Sequence, residues 1–186
     1  IVAMFGTYQI AANGVAQSIW SLAALVGSAM GPVFITVIGQ CMGAKDVDQA
    51  KFYFSKLIKW SLVFSIVWNV LVLAITPFIL QFYNLADETK HLIIILVIIH
   101  NIANTVVFPL SGPLSQGLRA TGDVKFTMIV SIASTVGGRL VLSIILALGL
   151  HLGVIGIALA MCGDWTIRAI IFYYRYKSNA WTKFEV

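Results

Sequence analysis

The residues able to do chemistry in this sequence are a few polar side chains set inside long apolar runs. Gln9, Asn13 and Gln17 recur every four residues and Ser21 continues the series, so on a helix they share one face. Amides both donate and accept hydrogen bonds. Such a stripe suits either the wall of a polar cavity or bonds to a neighbouring helix, and the spacing leaves both readings open. Asn101, Asn104 and Thr105 form a second group, followed by Pro109, Gly112 and Pro113. Proline removes a helical N–H and exposes carbonyls, which either line a substrate or ion path or are satisfied around a static kink. Arg139 stands in an apolar run beside Gly137 and Gly138. There a lone guanidinium costs at least ~2.5 kcal/mol and must snorkel or find carbonyls or a carboxylate. Asp164 and Arg168, four residues apart, have ion-pair spacing. Asp164 is also a candidate partner for Arg139, and a candidate proton or cation site.

Other chemistries lack their residues. His91, His100 and His151 are scattered without ligand spacing, and Cys41 and Cys162 lie in apolar runs as packing residues, so no metal site is expected. No Walker A, HExxH, GxSxG or CxxC sequence occurs, which gives no support to an ATP-driven pump domain or a metalloprotease. Neither enzymatic activity nor a cofactor is expected.

Side chains of this kind must be held by membrane helices. Of the 186 residues, 60% are hydrophobic and 10% charged, against roughly 25% charged in soluble domains. The composition is that of an all-α, polytopic integral membrane bundle. Charged residues divide it into five apolar runs, 1–44, 60–86, 91–118, 126–150 and 152–174, and a span needs about 20 such residues. Helices are therefore expected over 7–42, 47–83, 89–117, 124–149 and 153–177. As one helix the first run would be roughly 66 Å long, and we read it as a single span kinked at Gly31 and Pro32. Pro109 and Pro113 are further candidate hinges. Asp46 with Gln49 fits a capping box, and Gly122 with Asp123 reads as a turn and an N-cap.

Basic residues set the expected orientation. Twelve Lys and Arg against seven Asp and Glu give +5. Nine of the twelve (Lys45, Lys51, Lys56, Lys59, Arg119, Lys125, Arg175, Lys177 and Lys183) fall in segments on one side of the bundle, and only Lys90 falls on the other. This is membrane topology, with no nucleic-acid partner implied; it places the protein in the cell membrane with an extracellular N-terminal end and a cytoplasmic C-terminus. The chain starts at Ile1 with an apolar run under way and no signal peptide, and is read as a piece of a longer protein.

Several segments carry a family likeness. Gly39-Gln40-Cys41-Met42-Gly43-Ala44-Lys45 resembles the GQxxGA motif of multidrug and toxic compound extrusion (MATE) transporters. Tyr8-Gln9-Ile10-Ala11-Ala12-Asn13-Gly14-Val15-Ala16 resembles the start of the same helix, and Gly117-Leu118-Arg119-Ala120-Thr121-Gly122-Asp123 is similar to the family's GxLRGTGD segment, with Ala120 in place of Gly. Gly138-Arg139 and the series Gly156, Ala160, Asp164, Arg168, closing on Ala180-Trp181, fit the last two helices. The resemblance implies helices eight to twelve of a twelve-helix fold, most of its second lobe, with the N-terminal lobe as missing partner. Some branches carry cation-coupling carboxylates on helices seven and ten. Helix seven is absent here, and the helix-ten position falls at or near Phe108 in a run without acids, so the coupling site is expected outside this chain.

The resemblance further implies a secondary antiporter that exports organic, often cationic compounds in exchange for H⁺ or Na⁺ by alternating access. The partners would be membrane lipid and a small organic substrate. Gln9, Asn13, Gln17, Asn101 and Asn104 would line its cavity, with Trp20 and Phe108 as aromatic surfaces for a cation. These five helices alone are expected not to transport. Two rivals are a lipid-linked oligosaccharide or polysaccharide flippase, weakly disfavoured because Arg139 and Arg168 are the only intramembrane cations, and a non-transporting scaffold subunit with its amides buried between helices.

Overall fold

A computed structural model describes residues 2–83 and 85–184. A short 3-10 turn, Val2–Met4, precedes α1 (Thr7–Ala23), α2 (Leu25–Gly43) and α3 (Val47–Gln81). Next come α4 (Asp87–Ser111) and α5 (Pro113–Ala120). The fourth limb consists of α6 (Val124–Ala133), a π-helical segment Ser134–Arg139, α7 (Leu140–Ser143) and a second π segment, Ile144–Gly149. The last span is α8 (Gly153–Lys177), closed by a 3-10 turn at Ala180–Lys183. Leu25–Gly43, Val47–Gln81, Asp87–Ala120, Val124–Gly149 and Gly153–Lys177 are long and apolar enough to cross a bilayer. The protein is thus a polytopic helical membrane bundle.

One apolar stripe per helix builds the bundle. On α3 the buried positions run Ala50, Phe54, Ile58, Ser61, Ser65, Asn69, Val72, Thr76 and Leu80, a step of three or four residues along a rod about 52 Å long. Asp46 starts this helix by accepting a hydrogen bond from the Gln49 N–H at 2.9 Å. The opposite faces, such as Val67, Val70 and Phe78 on α3 and Ile129, Ile132 and Val136 on the fourth limb, are apolar and exposed, as a lipid-facing surface requires.

Helix α4 is the centre. It packs against α1, α3 and α8, while α2 packs on α5 and α3 and the fourth limb lies along α8. Because α1 meets α4 and α2 meets α5, the α1–α2 and α4–α5 rods run in the same direction. Gly27 and Gly31 let α2 approach closely: a Cβ at Gly27 would lie 2.7 Å from the Phe108 ring, and one at Gly31 would strike Gln116.

The first rod breaks where the sequence did not indicate. It is helical through Gly31 and Pro32, with Pro32 inside α2, and is interrupted for one residue at Ala24, between α1 and α2. Beside that interruption the Trp68 indole Nε1 donates to the Leu22 carbonyl at 2.9 Å, a side chain entering the ladder of main-chain bonds. Pro109 also lies within its helix, and the second rod breaks at Gly112, with Pro113 as the first residue of α5, where its missing N–H is not needed.

Two apolar clusters occupy the two ends of the bundle. Ala12, Ala16, Ile19, Val72, Leu96 and Val154 belong to one. Phe34, Phe54, Leu114, Phe172 and Trp181 belong to the other, at the end where the basic residues gather. Between them, at mid-height, α3 contributes Ser61, Ser65 and Asn69, α4 contributes His100, Asn101 and Asn104, and α8 contributes Asp164 and Trp165, all buried. Among the described residues, buried amides and a buried histidine gather in that middle band.

Candidate functional site

In the middle band, α1, α4 and α8 bring four rings together. Trp20 stacks on Trp165 with centroids 5.6 Å apart and planes 24° from parallel. Phe108 meets Trp165 edge-on at 5.3 Å, and His100 lies 6.3 Å from Trp20 and 6.5 Å from Trp165. The spacings are those of favourable aromatic pairs. His100 Nδ1 is held 2.8 Å from the Leu96 carbonyl. The Trp20 indole nitrogen is buried and has no acceptor among the described residues. A buried N–H in that condition favours any ligand that supplies an acceptor. The structure therefore joins Trp20 to Phe108 through Trp165, a residue that sequence reasoning passed over although its type and position beside Asp164 were visible.

The amides do not converge. Ala12, Ala16, Ile19 and Ala23 form the face that α1 buries, and the amides stand off that face. Gln9 turns to α8, where its Oε1 accepts the Val154 N–H at 3.3 Å, and its Nε2 donates to the Tyr8 hydroxyl at 3.0 Å. Gly153, at φ +56°, leaves space for this side chain. Asn13 is half-buried and Gln17 exposed, with Ser21 Oγ donating to the Gln17 carbonyl. Asn101 and Asn104 instead face the bundle interior. The Asn104 Nδ2 donates to Asn69 Oδ1 at 3.4 Å, and Asn69 Nδ2 donates to the Ser65 carbonyl at 2.8 Å. Asn104 Oδ1 and Ser61 Oγ are buried without partners among the described residues. The α1 stripe thus stands off the buried face of α1, whereas the α4 asparagines lie within the bundle. Ser61, Ser65 and Asn69 were missed in the sequence, although their four-residue spacing was the same signal that drew attention to α1.

Charges gather on α8. Asp164 is fully buried, accepts a short hydrogen bond from Ser134 Oγ, and pairs with Arg168 Nη2 at 2.6 Å. The Arg168 Nε is buried without a partner among the described residues. Arg139 does not pair with Asp164; its Nη2 rests 2.7 Å from the Met161 sulfur. The reason lies in the π segment that starts at Ser134 and ends at Arg139. In an α-helix two residues five apart diverge at 100° per residue, whereas closing each turn from i to i+5 brings them onto one face. Both then meet α8, one turn apart, and Ser134 takes the carboxylate.

At the basic end, Asp123 occupies the first position before α6 but does not cap it. Its carboxylate accepts from Arg175 Nε at 2.7 Å and Nη2 at 3.3 Å, and the same guanidinium covers the Phe126 ring at 4.5 Å. The loop at Gly122 is thereby tied to the end of α8. No group of three or more His, Cys, Asp or Glu side chains is assembled among the described residues.

Comparison with known proteins adds an independent line. The family model described as MatE matches residues 1–145. Over 186 residues the chain is 25% identical to the Uncharacterized transporter YisQ of Bacillus subtilis (strain 168), in a match that covers 97% of this chain. The chain spans 39% of the length of that curated relative. No solved structure matches it significantly.

Proposed function

The chain belongs to the MatE family of membrane transporters, and we propose that it forms most of the second lobe of a secondary antiporter exporting organic, often cationic compounds. Influx of H⁺ or Na⁺ would drive export, and the two lobes would rock about a central cavity. The observation that carries this reading is the ring cluster Trp20, His100, Phe108 and Trp165, set at mid-height beside both helix breaks. Aromatic faces attract organic cations by about 0.5–2 kcal/mol each, more strongly when water is excluded. The buried Trp20 N–H adds a donor that a substrate oxygen or nitrogen can use. Substrates of this class carry both an apolar body and a polar handle, and the site offers both.

In this proposal the nine-to-one division of basic residues puts Lys45, Arg119 and Arg175 at the cytoplasm and the start of α1 outside. Gln9 and Asn104 act by joining helices, and coupling rests on carboxylates elsewhere in the full-length protein. Asp164 is already balanced by Arg168 and is a structural anion in this reading.

The test is efflux of a fluorescent organic cation from cells expressing the full-length protein, with and without a proton ionophore and with and without sodium. Gradient-dependent efflux is expected, weakened several-fold by Trp20→Ala and largely restored in Trp20→Phe. Absence of efflux under both gradients, with the protein present in the membrane, would overturn the proposal and leave the flippase reading standing.

A further inference from the structure

Two neighbouring hollows at the basic end share residues and together have the form of a lipid. The first, about 330 Å³, lies between α3 and α8 above α4 and is lined by Ser55, Ile58, Lys59, Leu62, Leu110, Tyr173, Tyr176 and Lys177. It offers one ammonium from α3 and another from α8, with a hydroxyl and two phenols beside them. Lys177 Nζ stands 5.7 Å over the Tyr173 ring, and neither lysine forms an ion pair with a carboxylate among the described residues. The second hollow, about 200 Å³, is a wholly apolar groove between α4 and α8 that includes Val106, Val107, Ala169 and Ile170. Leu110 and Tyr173 line both.

Direction decides what fits. From Tyr173 back to Thr166 the groove follows α8 for seven residues, about 10 Å, away from the basic end and toward the middle band. A leaflet of the hydrocarbon core is about 15 Å deep. The polar hollow therefore lies where headgroups lie, and the apolar groove where an acyl chain runs. Basic pockets between membrane helices attract anionic headgroups, and tyrosines favour the same interface.

We propose that this composite groove binds one anionic phospholipid, with its phosphate between Lys59 and Lys177 and an acyl chain along Val106, Val107, Ala169 and Ile170. The two lysines come from different helices, so the bound lipid clamps α3 to α8 across α4 at the basic end. Zwitterionic lipids carry an ammonium that the lysines repel, and they bind less well.

The experiment uses the full-length protein in detergent, with native mass spectrometry to count retained lipids and thermal unfolding to read stabilisation. Dioleoyl phosphatidylglycerol is compared with dioleoyl phosphatidylcholine, and inorganic phosphate is tested alone. Phosphatidylglycerol is expected to be retained and to raise Tm. Lys59→Gln with Lys177→Gln should weaken retention about 25-fold, about fivefold for each lysine, while Lys56→Gln, which lies outside the groove, leaves it unchanged. Ala169→Phe, filling the apolar stretch, should lower retention with the lysines intact. Equal retention of phosphatidylcholine, unchanged binding in the double variant, or the same stabilisation by phosphate alone would each overturn the proposal. So would a photo-crosslinker at Tyr173 that captures another part of the protein or a second copy instead of lipid.

Discussion

Removing Asp164 tests how the middle band tolerates charge. The carboxylate has no exposed area, whereas the Arg168 side chain retains 20% exposure at a separation of 2.6 Å. Deleting one partner of a buried pair leaves an uncompensated charge and costs about 3–5 kcal/mol. Because the Arg168 guanidinium can bend toward polar surroundings once released, Asp164→Ala should fall near the lower end, about 3 kcal/mol. Arg168→Ala strands the more deeply buried member with only Ser134 as donor and should cost at least as much. Removing both leaves no bare charge, so the double variant should be clearly less destabilised than the two singles together, with a coupling of about 2–3 kcal/mol. The shift per kcal/mol falls with size, to about 1–2 °C for a protein more than twice this length, so Asp164→Ala should lower Tm by roughly 3–6 °C, measured by intrinsic fluorescence on the full-length protein in detergent. Asp164→Asn, which keeps the shape and the Ser134 contact, separates structure from coupling. If the single variants each shift Tm by less than about 2 °C, or if their effects simply add, the ion-pair argument is wrong. An Asp164→Asn protein of normal stability without gradient-driven efflux would identify Asp164 as a coupling group.

Two glycines give further checks on packing. A Cβ at Gly156 would lie 2.6–2.7 Å from the main chain of Leu146 and Ala147, which cannot turn aside, so Gly156→Val should destabilise by at least about 1–3 kcal/mol. Gly163→Ala, whose Cβ meets the movable end of Leu142 at 3.2 Å, should change Tm by a small fraction of that shift. Gly27→Ala places a methyl 2.7–2.9 Å from the Phe108 ring, and should lower both Tm and efflux of a bulky cation. Phe108→Leu in the same chain should recover Tm, and failure to recover it would show that the close approach is not the cause.

What the sequence disclosed depended on the range of the interaction. Apolar runs report on burial in lipid, residue by residue, so the helices and the Asp46 cap could be read directly. The interruption at Ala24 could not: it lies beside a hydrogen bond from Trp68, forty-six residues after its Leu22 acceptor. Arg139 illustrates the same limit at shorter range. Its separation from Asp164 in the sequence gave no preference among partners, and the π segment, which no local pattern announced, turned Ser134 toward the carboxylate instead. The aromatic cluster was half legible. Trp20 and Phe108 were plausible as single surfaces, but the ring that joins them, Trp165, adjoins an ion pair whose charges were the louder signal.

The position of Phe108 explains why the breaks and the rings belong together. Its ring touches Trp165 in the cluster on one side and fills the space left by the missing side chain of Gly27 on the other. Gly27 lies three residues beyond the interruption at Ala24, and Phe108 lies four residues before the break at Gly112, whose N–H donates to the Phe108 carbonyl at 2.9 Å. A ring so placed cannot shift toward α2 without displacing its backbone, and it cannot shift with α4 without changing its contact with Trp165. Close-packed interiors respond to such demands by moving between discrete arrangements rather than by yielding gradually. Both rods have their weak points beside the same side chain. A ligand that occupied the aromatic cluster would therefore act on α1–α2 and α4–α5 together, through one ring. That is the economy expected where binding and helix tilt must be linked within a single lobe.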